Sequence, residues 1–389
     1  MTANPDSARL LVVDDLEVNR DLLARRVQRL GHEAGFAENG VAALAQLRAS
    51  TWDLVLLDIT MPEMDGYETL RQIKADAALA DIPVIMVSAI DETDSVVRCL
   101  ELGADDYLTK PFNPVVLQAR IESSLAKKRL AAQQQATLRA LSREMEIGRR
   151  IQQGFLPEAL PELAGWQLAA MCTPARHVGG DFYDALVLPG GRLAFAIADI
   201  CDKGVGAALY MTLFRTLLRT MLVQAPASES ASQTLTRVIA FINDYIAIEH
   251  GRDNMFATMF VAIVDPVTGN LDYHNAGHDA PMIWRRASGQ VDRLPPQGPA
   301  VGLMPGINPL VESSFLGAGD RLLAYTDGVT EAIGDAGPLG EPEVQELLAI
   351  SQPDARWLVD AVGARVSAHA QGRHPHDDVT LLCLMRQDP

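Results

Sequence analysis

The chain has 389 residues and a mass of 42.1 kDa, which at about 150 residues per domain predicts two or three domains and excludes a single core. Its 33 Lys and Arg against 50 Asp and Glu give a formal charge of -17, a surface that repels nucleic acid and anionic membranes. A hydrophobic fraction of 48% with 21% charged residues excludes a wholly disordered chain. The N-terminus MTANPDSARLLVVDD lacks a basic segment leading into a long apolar one, and no apolar run approaches the roughly 20 residues of a membrane span. The expected location is therefore the cytoplasm, with neither membrane nor nucleic acid as partner.

Residues 1–125 alternate short apolar runs with helical patterns. Arg9 to Val13, Leu54 to Leu57 and Val84 to Val87 are continuous apolar runs, predicting buried strands of a parallel, doubly wound α/β sheet. Ligand sites in such sheets lie beyond the carboxyl ends of the strands. Those positions hold Asp14, Asp15, Asp58 and Ser88, with Lys110 following the short segment Tyr107 to Thr109. Carboxylates converging on one spot repel by about 4 kcal/mol at 4 Å and an effective dielectric near 20, so a hard divalent cation such as Mg2+ is expected beside a lysine.

The segments LLVVDD, LLDITMPEMDGYE, VSA and YLTKPF resemble a two-component receiver domain. That resemblance implies Asp58 as phosphoacceptor, Mg2+ held by Asp14, Asp15 and Asp58, Ser88 and Tyr107 as a switch pair, and Lys110 as the lysine that senses the phosphoryl group. A sensor histidine kinase is the implied partner.

Residues 126–160 form the expected linker. From Ala126 to Phe155 the chain is rich in Ala, Gln, Leu, Arg and Glu and contains no proline, predicting a long helix. Between Ala126 and Arg150, seven basic residues face two acidic ones, a local charge of +5. Leu138, Leu141 and Met145, then Ile147, Ile151 and Phe155, make a short apolar seam, which predicts a coiled-coil homodimer, the alternative being a stripe packed on the chain's own neighbouring domains.

Residues 161–389 have a different rhythm. Gln167 to Met171, Leu193 to Ile197, Thr258 to Val264, Leu271 to His274, Arg321 to Tyr325 and Val379 to Leu384 read as strands, with helices near Ala207 to Met221 and Ser232 to Glu249. This grouping predicts an α/β/β/α sandwich, two sheets face to face under helices. GGDFYD, ADICDKG, NAGH, YTDG and DDVT interrupt the strands and place Asp181, Asp199, Asp327 and Asp377 at strand ends, mostly beside glycine. Four carboxylates in one cleft call for two cations; oxygen ligands without thiolates favour Mg2+ or Mn2+ over zinc. Two such ions activate a water for phosphomonoester hydrolysis. The cysteines, Cys99, Cys172, Cys201 and Cys383, contain no C-x-x-C pair and are expected to be buried free thiols.

These blocks resemble the metal-dependent PP2C-type protein serine/threonine phosphatases, and within them the bacterial branch of sigma-factor partner switching. The resemblance implies that Asp181 bridges both ions, Asp199 and the Ile200 carbonyl bind one, and Asp327 and Asp377 bind the other. Asp184 and Asp202 are candidates to order surrounding waters, and Asp378 is the less favoured member of its pair. His278 has two readings, an orienter of a loop or phosphate and a structural hydrogen-bonding group; His177 shares that ambiguity. His369, His374 and His376 are expected in an exposed loop. The chain thus reads as a response regulator that dephosphorylates phosphoserine or phosphothreonine on a protein, with an anti-sigma-factor antagonist as the implied substrate. The alternative is a non-catalytic adaptor that sequesters a regulatory protein. A DNA-binding output finds no helix-turn-helix candidate.

Overall fold

The computed structural model describes residues 7–89, 93–111, 113–335, 337–350, 354–373 and 375–388. The chain divides into two compact units, Met1–Leu141 and Ser142–Pro389.

In the first unit, strands and helices alternate: β1 (Arg9–Val13), α1 (Glu17–Arg29), β2 (Glu33–Ala37), α2 (Gly40–Ala49), β3 (Leu54–Asp58), α3 (Gly66–Ala75), β4 (Val84–Ser88), α4 (Thr93–Glu101), β5 (Asp106–Thr109) and α5 (Pro114–Gln153). The five strands form one parallel sheet ordered β2-β1-β3-β4-β5. Every residue of β3 and β4 is buried, because helices cover both faces. Leu23 and Val27 of α1 pack with Leu117, Ile121 and Leu125 of α5 on one side. Leu44, Leu70 and Cys99, from α2, α3 and α4, pack on the other. The caps are local: Asn39 accepts from the Ala42 amide at 2.8 Å, and Asp65 from the Glu68 amide at 2.7 Å. β2 carries too mixed a composition, EAGFA, to stand out as a buried strand in the sequence.

The expected long helix is α5, which starts at Pro114, where proline is tolerated in a first turn, and runs unbroken for 40 residues. Its first turns belong to the core of the first unit, and the division between the units falls within it. Leu138, Leu141, Ile147 and Ile151 along its seam are all at least half exposed.

The second unit contains β6 (Trp166–Thr173), β7 (Phe182–Val187), β8 (Leu193–Ile200), α6 (Val205–Val223), α7 (Ala231–Glu249), β9 (Ala257–Val264), β10 (Asn270–Ala276), β11 (Met282–Trp284), β12 (Val291–Arg293), β13 (Glu312–Phe315), β14 (Arg321–Tyr325), α8 (Asp327–Thr330), β15 (Ile333–Gly334), β16 (Gly337–Pro338), α9 (Glu341–Ala349), α10 (Ala355–Ala370) and β17 (Val379–Arg386). Two five-stranded antiparallel sheets, ordered β13-β10-β9-β8-β7 and β12-β11-β14-β17-β6, stack across Phe195, Phe260, Tyr273, Leu322 and Leu382. α6 and α7 cover the first sheet, and α9 and α10 the second. This is the α/β/β/α sandwich. α7 opens with a capping box between Ser230 and Gln233.

Two expectations change. His369 lies in α10, not in a loop, because the helix continues to Ala370; its Nε2 stands 2.9 Å from the Gly337 carbonyl. His376 is in an exposed loop, and His374 lies outside the described residues. All four cysteines are free, but only Cys99 and Cys383 are buried. Cys172, in the edge strand β6, and Cys201, just after β8, are partly exposed. Among the described residues no helix is long and apolar enough to cross a membrane.

Candidate functional site

In the first unit, the carboxyl ends of β1 and β3 bring Asp14, Asp15 and Asp58 together. One ligand oxygen from each lies within 4.8 Å of the others, the one such group of His, Cys, Asp or Glu among the described residues. Lys110 Nζ donates to Asp14 Oδ2 at 2.7 Å and to Asp58 Oδ1 at 2.8 Å. Asp58 is buried, and burial pushes its carboxyl above the ordinary value, against the pull of Lys110. Burial alone would lower the Lys110 ammonium; Asp14 and Asp58 overcome it, and the net shift is upward. Ser88 is buried at the end of β4, its carbonyl accepting from the Lys110 amide at 2.7 Å. Tyr107 packs against the core on the α2–α4 side. This donor set suits a hard cation: three carboxylate oxygens, no sulfur, and excess negative charge.

In the second unit, sheet register assembles the acidic cleft. β7 pairs with β8 so that Phe182 faces Ala198, and Asp181 continues opposite Asp199. Tyr325 at the end of β14 faces Leu381 of β17, so Asp327 at the start of α8 meets the Asp377–Asp378 turn. The glycines make this approach possible. A Cβ on Gly180 would lie 3.0 Å from the Ile200 carbonyl oxygen, and one on Gly328 only 2.0 Å from the Asp378 carbonyl oxygen.

The carboxyl groups bear the mark of this crowding. Burial, then Asp199 and Asp378, hold Asp181 far above the ordinary carboxyl range. Burial and the neighbouring Asp327 push Asp199 up to about 7, although a hydrogen bond with Asp181 opposes that rise. Asp327 is raised by burial and by Asp377. Thr326 Oγ1 donates to Asp181 Oδ2 at 2.7 Å, and Lys203 Nζ pairs with Asp377 Oδ2 at 2.5 Å. No three of these aspartates present oxygens mutually within 4.8 Å; Asp181 and Asp199 share a hydrogen bond, and Asp327 and Asp377 interact through charge. Oxygen donors, glycine-cleared backbone and carboxyls lifted by mutual repulsion all fit a site for hard divalent cations.

The remaining expected residues have definite places. Asp378 turns toward backbone: its Oδ1 accepts from the Ala175 amide at 2.7 Å, and its Oδ2 from the Gly180 and Asp181 amides at 2.7 and 3.3 Å. Asp184 faces α6, where Arg215 at 3.3 Å and Arg219 share its Oδ1. Asp202 is exposed at a positive φ of 74° and accepts from the Lys203 amide at 2.7 Å. His278 is buried, its Nδ1 3.0 Å from Thr258 Oγ1, and burial lowers its imidazole to about 4. Burial thus favours its neutral imidazole at ordinary pH. His177 is exposed.

Sequence reasoning overlooked Asp279, directly after the NAGH block. Burial, then Asp327, Glu341 and Glu331, push its carboxyl up to about 6. Beside Asp377 and Lys203 opens a cavity of about 410 Å³, lined also by Glu331, Ile333, Ala364 and Arg373.

Residues 189–387 match the family Stage II sporulation protein E (SpoIIE), and residues 10–122 match the response regulator receiver domain. Protein IcfG of Synechocystis sp. is 38% identical over 263 residues, 62% of this chain and 41% of that protein. Response regulator PleD of Caulobacter vibrioides is 42% identical over 117 residues, 30% of this chain and 26% of that protein. The chain thus spans less than half the length of these curated relatives. The solved SiaA-PP2C domain of Pseudomonas aeruginosa has a TM-score of 0.54 at 20% identity, covering 65% of this chain and 99% of that one, a likeness of fold.

Proposed function

Since the chain belongs to the Stage II sporulation protein E (SpoIIE) family and carries a receiver domain before its PP2C-type domain, we propose that it is a receiver-controlled protein phosphatase. Its substrate is phosphoserine or phosphothreonine on a protein, and by family likeness that protein is an anti-sigma-factor antagonist. The reading divides the chain into a receiver (1–125), a helical linker (126–160) and a phosphatase domain (161–389), in the cytoplasm. The observation that carries it is that Asp181 and Asp199, at the β7–β8 end of one sheet, lie near enough to Asp327 and Asp377, at the β14–β17 end of the other, for their charges to act on one another, with the carboxyls of Asp181, Asp199 and Asp327 driven upward by burial and by neighbouring carboxylates.

In this reading two Mn2+ or Mg2+ ions, when bound, neutralise the cleft and supply an activated water for attack on phosphorus. Asp181, Asp199, the Ile200 carbonyl, Asp327 and Asp377 are the groups that would hold them. Thr326 fixes the Asp181 carboxylate, and Asp378 fixes the backbone that carries it. The phosphate ester bond breaks, the serine or threonine oxygen takes a proton, and inorganic phosphate leaves.

Control begins at Asp58. With Mg2+ held by Asp14, Asp15 and Asp58, an Asp58 oxygen attacks the phosphohistidine of a sensor kinase; the phosphorus–nitrogen bond breaks and an acyl phosphate forms. Lys110 then pairs with the phosphoryl oxygens, and Ser88 and Tyr107 respond as the switch pair. The exposed seam of α5 joins two copies as a homodimer.

The test is manganese-dependent release of phosphate from a phosphoserine protein. Asp181→Asn should lower the rate by at least about a hundredfold. Equal rates for variant and parent would overturn the catalytic reading.

A further inference from the structure

The last turn of α5 ends on a buried amide that the chemistry above does not use. Gln152 is only 8% exposed, whereas its neighbours Ile151 and Gln153 are exposed. Its side chain pairs with one peptide unit in both directions: Nε2 donates to the Gly179 carbonyl at 2.5 Å, and Oε1 accepts from the Gly179 amide at 3.1 Å. A carboxamide offers this donor and acceptor side by side and, unlike a carboxyl group, stays uncharged at ordinary pH. The contact imitates one rung of a β-ladder.

The residues that follow are held from the other side. The Gly180 and Asp181 amides both donate to Asp378 Oδ2. A Cβ on Gly179 would lie 2.3 Å from that same oxygen, so residue 179 has no room for a side chain. Three successive amides, of Gly179, Gly180 and Asp181, are thus claimed by two side chains, Gln152 and Asp378. Buried backbone groups that lose such partners are costly, and the loop would move to recover them.

We infer that Gln152 is a positioning residue for Asp181, clasping the Gly179 peptide so that the carboxylate two residues later stands at the metal site. The inference rests on the reading of Asp181 as a metal residue, but its structural half stands without metal. Leucine at 152 removes both hydrogen bonds at similar volume. Ionised glutamate keeps an acceptor for the amide but repels the Gly179 carbonyl; protonated, it restores the donor.

The experiment uses the full chain with Gln152→Leu, Gln152→Glu and, as a control, Gln153→Leu. In the absence of metal, hydrogen exchange of the segment around Gly179 to Asp181 should accelerate at least about tenfold in Gln152→Leu and stay unchanged in Gln153→Leu. With p-nitrophenyl phosphate, the Mn2+ concentration for half-maximal rate should rise at least about tenfold in Gln152→Leu. Relative to the parent at the same pH, Gln152→Glu should regain activity as pH falls. Unchanged exchange in Gln152→Leu overturns the clasp, as does a lowered melting temperature with parental manganese dependence. Should Gln152→Leu fail to fold, a Gln152→Glu ratio independent of pH overturns it. A parent chain with no manganese-dependent hydrolysis overturns the catalytic reading, while the exchange result decides the clasp by itself.

Discussion

Lys203 Nζ lies 2.5 Å from Asp377 Oδ2 and also donates to the His376 carbonyl at 2.6 Å. An ammonium therefore occupies the carboxylate proposed for a metal ion, and its hydrogen bond to Asp377 raises the lysine above its ordinary value. Metal must compete with it. Lys203→Met should lower the Mn2+ concentration for half-maximal activity by several-fold, and the gain should shrink with added salt because Lys203 is more than a third exposed. A higher metal requirement in the variant would show that Lys203 assists binding.

The acidic cleft also predicts how stability depends on pH. Without metal, folded Asp199 keeps its proton up to about 7, whereas the unfolded chain loses it near 3.8. The folded state binds more protons in that window, so this contribution to stability falls as pH rises through it and levels off above. His278 acts in the opposite sense: its folded value near 4 lies below 6.5, and its contribution grows between those limits and is complete above them. Above about pH 6.5 only the carboxyl effect remains. Urea unfolding of the metal-free protein should lose roughly 1 kcal/mol from pH 6.5 to 8 through Asp199 alone. Asp199→Asn should remove that part, and saturating Mn2+ should reverse the slope because metal binds the deprotonated form. A flat profile in the metal-free parent would contradict the assigned shift.

In the receiver, Asp58→Asn should abolish incorporation of phosphate from acetyl phosphate in the presence of Mg2+. Lys110→Ala should retain labelling yet lose any change in phosphatase rate that labelling causes, since Lys110 bridges Asp58 and Asp14. Radiolabelled acetyl phosphate with a parallel hydrolysis assay measures both. Persistent labelling of Asp58→Asn would place the acceptor elsewhere.

The α5 seam carries the oligomer prediction. Leu141→Asp puts a charge among Leu138, Ile147 and Ile151, all exposed on the helix, and should weaken self-association at least about a hundredfold by sedimentation equilibrium, a loss of about 3 kcal/mol. A monomeric parent chain would refute the dimer.

The sequence announced what short-range chemistry requires. Asp58 ends an unbroken apolar run, Asp199 ends another, and Asp181 and Asp327 flank such runs beside glycine, the tight backbone that carboxylates proposed as metal ligands need at strand ends. Contacts between distant segments left no such trace. Asp184 lies in GGDFYD and invited a place near the metal, yet its partners are Arg215 and Arg219 on α6, separated from it by a strand and a loop. Gln152 looked like one more polar residue on a helix rich in glutamine until Gly179 was seen against it. Asp279 was adjacent to a recognised block, but its acidity depends on Asp327 and Glu341, which no local pattern connects to it. The strands β11, β12 and β13 have three or four residues each, too few to establish a period.

The unbroken course of α5 restricts how this architecture can vary. Each residue inserted into an α-helix turns everything beyond it by about 100° and advances it by about 1.5 Å. A loop absorbs an extra residue; within residues 142–151 this helix hands it on in full, rotating the helix face that Gln152 presents to Gly179. Insertions or deletions of seven residues come near to restoring the original facing, and those of two or three do not. Related chains that keep the Gln152 clasp should therefore differ in the length of this stretch of helix by discrete steps, much as gears mesh only at whole teeth.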